Sequence, residues 1–129
     1  MSKKDMRTPL AKISYLGSAR SGTQDHALQR MTALALAPLA IFFIVSAVAL
    51  AGAEYETARA YLSNPLVSIL FIALIGAGVV HMRIGVKIVI EDYVHGETLK
   101  HFSLIANNFF SYAIGLACIY AVLKIGFSS

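Results

Sequence analysis

Apolar positions in this chain gather into three long runs separated by two short polar intervals. The first run, Met31 to Gly52, carries no charged residue. The second is unbroken from Leu66 to Val80, meets His81, stays largely apolar through Ile84 to Ile90, and ends in Glu91-Asp92-Tyr93. The third runs from about Leu104 to Phe127. A run of about 20 apolar residues crosses the roughly 30 Å hydrocarbon layer of a bilayer as a helix. These runs are too long and too uniform for barrel strands, and a lipid-exposed backbone must satisfy its own hydrogen bonds. The pattern therefore predicts an all-α membrane protein with three transmembrane helices, over about 26–53, 65–90 and 104–127, forming one anchor domain (26–129).

The polar intervals refine this outline. Residues 1–25 are basic and rich in Ser, Gly and Thr, and read as an irregular N-terminal arm. Asp25 is placed to cap the first helix. Pro38 removes one backbone hydrogen bond within it and predicts a bend. Glu54 to Asn64 read as a polar loop, with Tyr55 and Tyr61 suited to the membrane interface. Pro65 suits the first turn of the second helix. Glu91 to Ser103 read as the second loop. Asn107 and Asn108, at the expected start of the third helix, suit a cap or a hydrogen bond to a partner chain.

Composition agrees with a bilayer setting: 57% of the 129 residues are hydrophobic, and the mean hydropathy is +0.68. The formal charge of +4 matters through its placement. Lys3, Lys4, Arg7, Lys12, Arg20 and Arg30 all precede the first apolar run, and Arg83, Lys87 and Lys100 lie around the second interval. The excess of basic residues on one side predicts a cytoplasmic N-terminus and second loop, with the C-terminus outside, periplasmic in a bacterial inner membrane. Nucleic acid is excluded as a partner, because no basic surface interleaved with aromatics is present. Cys118 is alone, which excludes an intrachain disulfide and a cysteine metal site. The first apolar run is too long for a signal-peptide core.

A histidine inside a membrane span is costly and needs a partner. Helical spacing puts Gly78 and Gly85 on the His81 face, one turn to either side. Small residues there permit close approach of another helix or of a flat rigid ligand such as haem, whose iron takes neutral imidazole. Three readings fit the spacing: a packing histidine bonded to a neighbouring helix, a haem ligand, and a proton relay. The apolar runs hold no second histidine, so a bis-histidine haem would need a ligand from another subunit.

Tyr93 and Asp92, at the cytoplasmic end of the second span, fit either an aromatic belt or a quinone contact, with a phenol donating to a carbonyl and a carboxylate beside it. Arg30 fits interfacial anchoring or pairing with a carboxylate such as a haem propionate. Arg83 and Lys87 fall off the His81 stripe, and snorkelling or docking of an acidic surface suits them. His26, His95 and His101 flank the membrane without metal-site spacing.

The segment Gly17-Ser18-Ala19-Arg20-Ser21-Gly22-Thr23, followed by Gln29-Arg30-Met31-Thr32-Ala33, then His81-x-x-x-Gly85 and Glu91-Asp92-Tyr93, resembles a known family. It is similar to the smaller hydrophobic membrane anchor subunit of succinate dehydrogenase (complex II), of the alphaproteobacterial and mitochondrial type. The resemblance covers almost the whole chain. It implies that His81 is an axial ligand of haem b shared with a second, cytochrome b anchor chain. It further implies that Arg30 lies near the propionates, that Gly78 and Gly85 give the haem room, and that Tyr93 and Asp92 contact ubiquinone. Gln24 stands where some relatives carry a histidine, so no role transfers there. On this reading the chain is a non-catalytic subunit that docks an iron-sulfur subunit and a flavoprotein. Electrons pass from succinate to ubiquinone, linking the tricarboxylic acid cycle to the respiratory chain. The alternatives are a non-redox structural subunit or small transporter scaffold, and a fumarate reductase anchor.

Overall fold

The computed structural model describes the backbone of residues 18–127 and the side chains from residue 22. The expected arm up to residue 17 lies outside the described residues. Among the described residues three long helices and one short one follow in order: α1 (Ser18–Leu50), α2 (Tyr55–Leu62), α3 (Pro65–Tyr93) and α4 (Glu97–Phe127). The three long ones are each long and apolar enough to cross a membrane.

The helices are longer than the apolar runs. At about 1.5 Å per residue the 29 residues of α3 rise about 44 Å, against a hydrocarbon layer of roughly 30 Å. The excess turns carry the polar residues expected in loops. Helix α1 starts at Ser18, so Asp25 lies two turns inside it and caps nothing. Helix α1 runs through Pro38 without a break. The interval Glu54–Asn64 contains helix α2 rather than a plain loop. Helix α4 starts at Glu97, an acidic residue suited to a helix N-terminus, which leaves only Val94 to Gly96 between α3 and α4.

The ends are set by local chemistry. Gly52 takes a positive φ of 80°, a backbone state that glycine reaches without strain, and turns the chain out of α1. The Asn64 side chain accepts from the amides of Leu66 at 3.0 Å and Val67 at 3.4 Å, with Pro65 in the first turn where its missing N–H costs nothing. Val94 donates its amide to the Ile90 carbonyl and closes α3.

Helix α3 is the centre of the fold. It packs against α1 on one side and α4 on the other, and these are the two principal interfaces. On α1 the inward stripe is Asp25, Gln29, Thr32, Leu36, Leu39, Phe42, Ser46 and Leu50, three or four residues apart. On α4 the buried line is Asn107, Ser111 and Gly115. Large apolar side chains face outward, Leu34 and Phe109 both 75% exposed, and Ile84 is the one buried apolar residue among the described residues. This inversion follows from the solvent. Lipid offers no hydrophobic drive between helices, so close contact and interhelical hydrogen bonds hold them together.

The α3–α4 seam is built this way. A methyl added at Gly115 would lie 2.9 Å from Val79 Cγ2, so the Val79 side chain packs directly on the α4 backbone only because residue 115 is glycine. Asn107 Nδ2 donates to the Arg83 carbonyl at 2.9 Å, and Arg83 Nη1 donates to Asn108 Oδ1 at 3.2 Å. The Arg83 guanidinium also lies 5.7 Å from the Tyr112 ring centre. The asparagines therefore sit well inside α4 and bind α3 of the same chain, where the sequence suggested a cap or a partner chain. Arg83 is committed to α4 in this chain, where snorkelling or partner docking was expected.

At the far end, α2 folds back on the bundle. Ser46 Oγ donates to the Phe42 carbonyl at 2.8 Å and meets the Tyr61 hydroxyl at 2.7 Å. Tyr61 is thus tied to α1 rather than simply placed at the interface. Ser63 Oγ donates to the Ile125 carbonyl at 3.2 Å, which ties the α2–α3 turn to the end of α4.

Candidate functional site

The α1–α3 seam holds the chemistry. Thr32 lies on the inward stripe of α1, and its hydroxyl bonds back to the preceding turn, 2.7 Å from the Leu28 carbonyl and 3.1 Å from that of Gln29. The same oxygen lies 3.1 Å from His81 Nδ1 on α3. His81 is half-buried. Its Nδ1 is engaged, and its Nε2 has no hydrogen-bond partner among the described residues. A neutral imidazole held at one nitrogen and open at the other is a suitable donor to a metal. Among the described residues no three His, Cys, Asp or Glu side chains converge on a metal position.

Gly78 and Gly85 bracket this contact. A methyl at Gly78 would lie 4.0 Å from Leu36 Cδ2, and one at Gly85 would lie 3.5 Å from Gln29 Nε2. Both are ordinary contacts, so packing inside this chain does not demand glycine at either position. Both glycines face α1, and an added methyl at either would point toward it.

One turn further along, the seam becomes polar. Gln29 Oε1 is buried with no hydrogen-bond partner. Beyond it a cleft of about 380 Å³ is lined by Asp25, His26, Gln29, Lys87 and Glu91, with Gly22 and Ile88. Lys87 pairs with Asp25 across the seam and lies 3.9 Å from Glu91 one turn on. The Asp25–Lys87 pair joins residues 62 apart in sequence, and no local pattern announces it.

The remaining residues named from sequence are not brought to His81. Asp92 is 11 residues on, close to the His81 face of α3, and is exposed. Tyr93 is 12 residues on, about 18 Å along the helix axis, and is 77% exposed. Among the described residues neither the Tyr93 hydroxyl nor the Asp92 carboxylate has a partner; the Tyr93 carbonyl accepts from His95 Nδ1 at 3.0 Å. Arg30 is exposed, and about 200° of helical rotation separates it from Thr32. It points out of this chain rather than into the seam. His26 and His101 are exposed, as is Cys118.

Residues 4–121 match the family model described as succinate dehydrogenase/fumarate reductase transmembrane subunit. The succinate dehydrogenase hydrophobic membrane anchor subunit of Paracoccus denitrificans is 32% identical over 92% of each chain. The protein of the same name from Rickettsia bellii is 29% identical over 95% of this chain and 98% of its own. The succinate dehydrogenase membrane anchor subunit of Reclinomonas americana is 27% identical over 72% of this chain and 80% of its own. No solved structure gives a significant match.

Proposed function

We propose a role that starts from one premise: this chain belongs to the succinate dehydrogenase/fumarate reductase transmembrane subunit family. It is a multi-pass membrane anchor subunit of succinate dehydrogenase, a non-catalytic component that works with the other subunits of complex II. Within that role, His81 Nε2 would hold the iron of haem b, with a second ligand supplied by the other anchor chain. The residues present fit such a group. The imidazole is fixed at Nδ1 by Thr32 while Nε2 has no partner in its own chain, and this observation carries the reading. Glycine at 78 and 85, which the chain's own packing does not require, supports it.

When bound, haem b supplies a one-electron redox centre. The chain's own residues do the rest. Helices α1 and α3 hold the His81 ring in place. Arg30, pointing outward from α1, offers its guanidinium to a propionate. Tyr93 and Asp92, at the exposed end of α3, contact ubiquinone. The Tyr93 phenol donates a hydrogen bond to a quinone carbonyl, and the Asp92 carboxylate handles a proton beside it. The flavoprotein and iron-sulfur subunits dock on that face. Arg30, Arg83, Lys87 and Lys100 lie toward the same end of the bundle, which supports a cytoplasmic N-terminus and a periplasmic C-terminus in the inner membrane.

The test is a redox difference spectrum of the purified complex. A b-type spectrum that disappears in His81→Ala is expected. A wild-type complex without haem, or a His81→Ala complex that keeps it, removes the ligand assignment and leaves His81 as a packing residue, a role the Thr32 bond also permits. For the quinone contact, Tyr93→Phe lowers quinone reduction while dye-linked succinate oxidation persists. Equal loss of both activities would point to failed assembly instead.

A further inference from the structure

We infer that Thr32 is the positioning residue that fixes the tautomer of His81, so that the imidazole presents its lone pair at Nε2; this rests on the ligand reading given above. Three acceptors compete for one proton. The Thr32 hydroxyl carries it. Its three neighbours are the Leu28 carbonyl at 2.7 Å, the Gln29 carbonyl at 3.1 Å and His81 Nδ1 at 3.1 Å. Carbonyl oxygens only accept. The shortest contact takes the hydroxyl proton into the preceding turn, the usual arrangement for threonine in a helix. The contact with His81 is then a hydrogen bond only if Nδ1 carries the proton and Thr32 Oγ1 accepts it. A neutral ring protonated at Nδ1 has its lone pair at Nε2.

The opposite arrangement, with Thr32 donating to Nδ1, would leave both carbonyl contacts unused and put the proton on Nε2, where no partner exists among the described residues. An unmet donor is expensive in a membrane interior. The same logic recurs at the other end of α1. There the Ser46 proton goes to the Phe42 carbonyl, and Tyr61 must donate to Ser46. The two hydroxyls on the α1 stripe, Thr32 and Ser46, thus use their proton on their own helix and receive one from a neighbour.

An Nδ1–H bond to an oxygen also makes Nε2 a stronger donor, which favours ferric over ferrous iron. Thr32→Val deletes the hydroxyl and keeps the shape. Thr32→Ala deletes the hydroxyl and the methyl together. Thr32→Ser deletes only the methyl. The experiment uses the whole purified complex and reads haem per assembled complex, the low-spin ferric electron paramagnetic resonance signal and the midpoint potential.

Val and Ala are expected to raise the potential, shift the resonance and weaken haem retention by roughly 10- to 100-fold, the range for a lost outer-shell partner of a metal ligand. Ser is expected to match wild type. Wild-type values in Val and Ala overturn the inference, as does a shift in Ala and Ser with Val at wild type, which would assign the effect to packing of the methyl. These outcomes presuppose haem in the wild-type complex. Its absence there would sink the ligand reading first, and the two failures are therefore distinguishable.

Discussion

Gly115→Ala tests the physical basis of the α3–α4 seam. The added methyl would meet Val79 Cγ2 at 2.9 Å and Cγ1 at 3.5 Å. Valine in a helix has essentially one χ1 rotamer, so Val79 cannot swing away. The helices must separate, and overpacking of this kind costs about 1–3 kcal/mol. Alanine recovers up to about 1 kcal/mol as the better helix former. The net loss is therefore about 0–3 kcal/mol, too wide a range to decide anything alone. The coupling with Val79 is sharper. In a Val79→Ala background the clash is gone, and Gly115→Ala becomes neutral or stabilising. The double-mutant cycle should thus return an interaction of about 1–3 kcal/mol. The assay is dissociation of the purified complex titrated with dodecyl sulfate in mixed micelles, for all four combinations. Additive effects of the two substitutions would refute the close approach of α3 and α4 at this point.

Three further outcomes follow from the same seams. Asn107→Ala removes the donor to the Arg83 carbonyl, and the loss should fall near 0.6–2 kcal/mol, the range for interhelical hydrogen bonds in membranes; the same titration measures it. Tyr61→Phe should destabilise by about 1 kcal/mol in wild type and by much less once Ser46 is alanine, because the two hydroxyls share one bond. The partly exposed Asp25–Lys87 pair is expected to contribute about 0–1 kcal/mol, so Lys87→Gln should cost little and its effect should shrink in high salt. A large salt-independent loss would mean that Lys87 holds more than Asp25 and Glu91.

The candidate site was legible where it depended on residue type at fixed spacing along one helix. His81, the two glycines on its face and the Asp92-Tyr93 pair all belong to α3, so helical geometry alone relates them. Thr32 was present in the motif that carried the family resemblance, yet nothing along the chain gives it a role. It acquires one only when α1 lies against α3, because its partner is 49 positions away. Asp25 misled for the same reason. Its type and place before an apolar run favour a cap, but α1 continues outward past the membrane edge and turns Asp25 into a partner for Lys87.

Hydropathy by itself determined the three spans, the all-α class and the choice of His81. Each of these follows from the cost of placing polar groups in hydrocarbon, which is paid residue by residue and so is written into the sequence. The tertiary structure decided where the helices end and which faces meet. Helix ends are set by backbone hydrogen bonds, which do not stop at the hydrocarbon boundary, and so α1, α3 and α4 run beyond their apolar cores. Helix faces are selected by close approach and by a few polar pairs, since lipid is indifferent to which apolar surface it covers. That is why Gly115 against Val79, Asn107 against Arg83 and Thr32 against His81 emerge only from the packed chain.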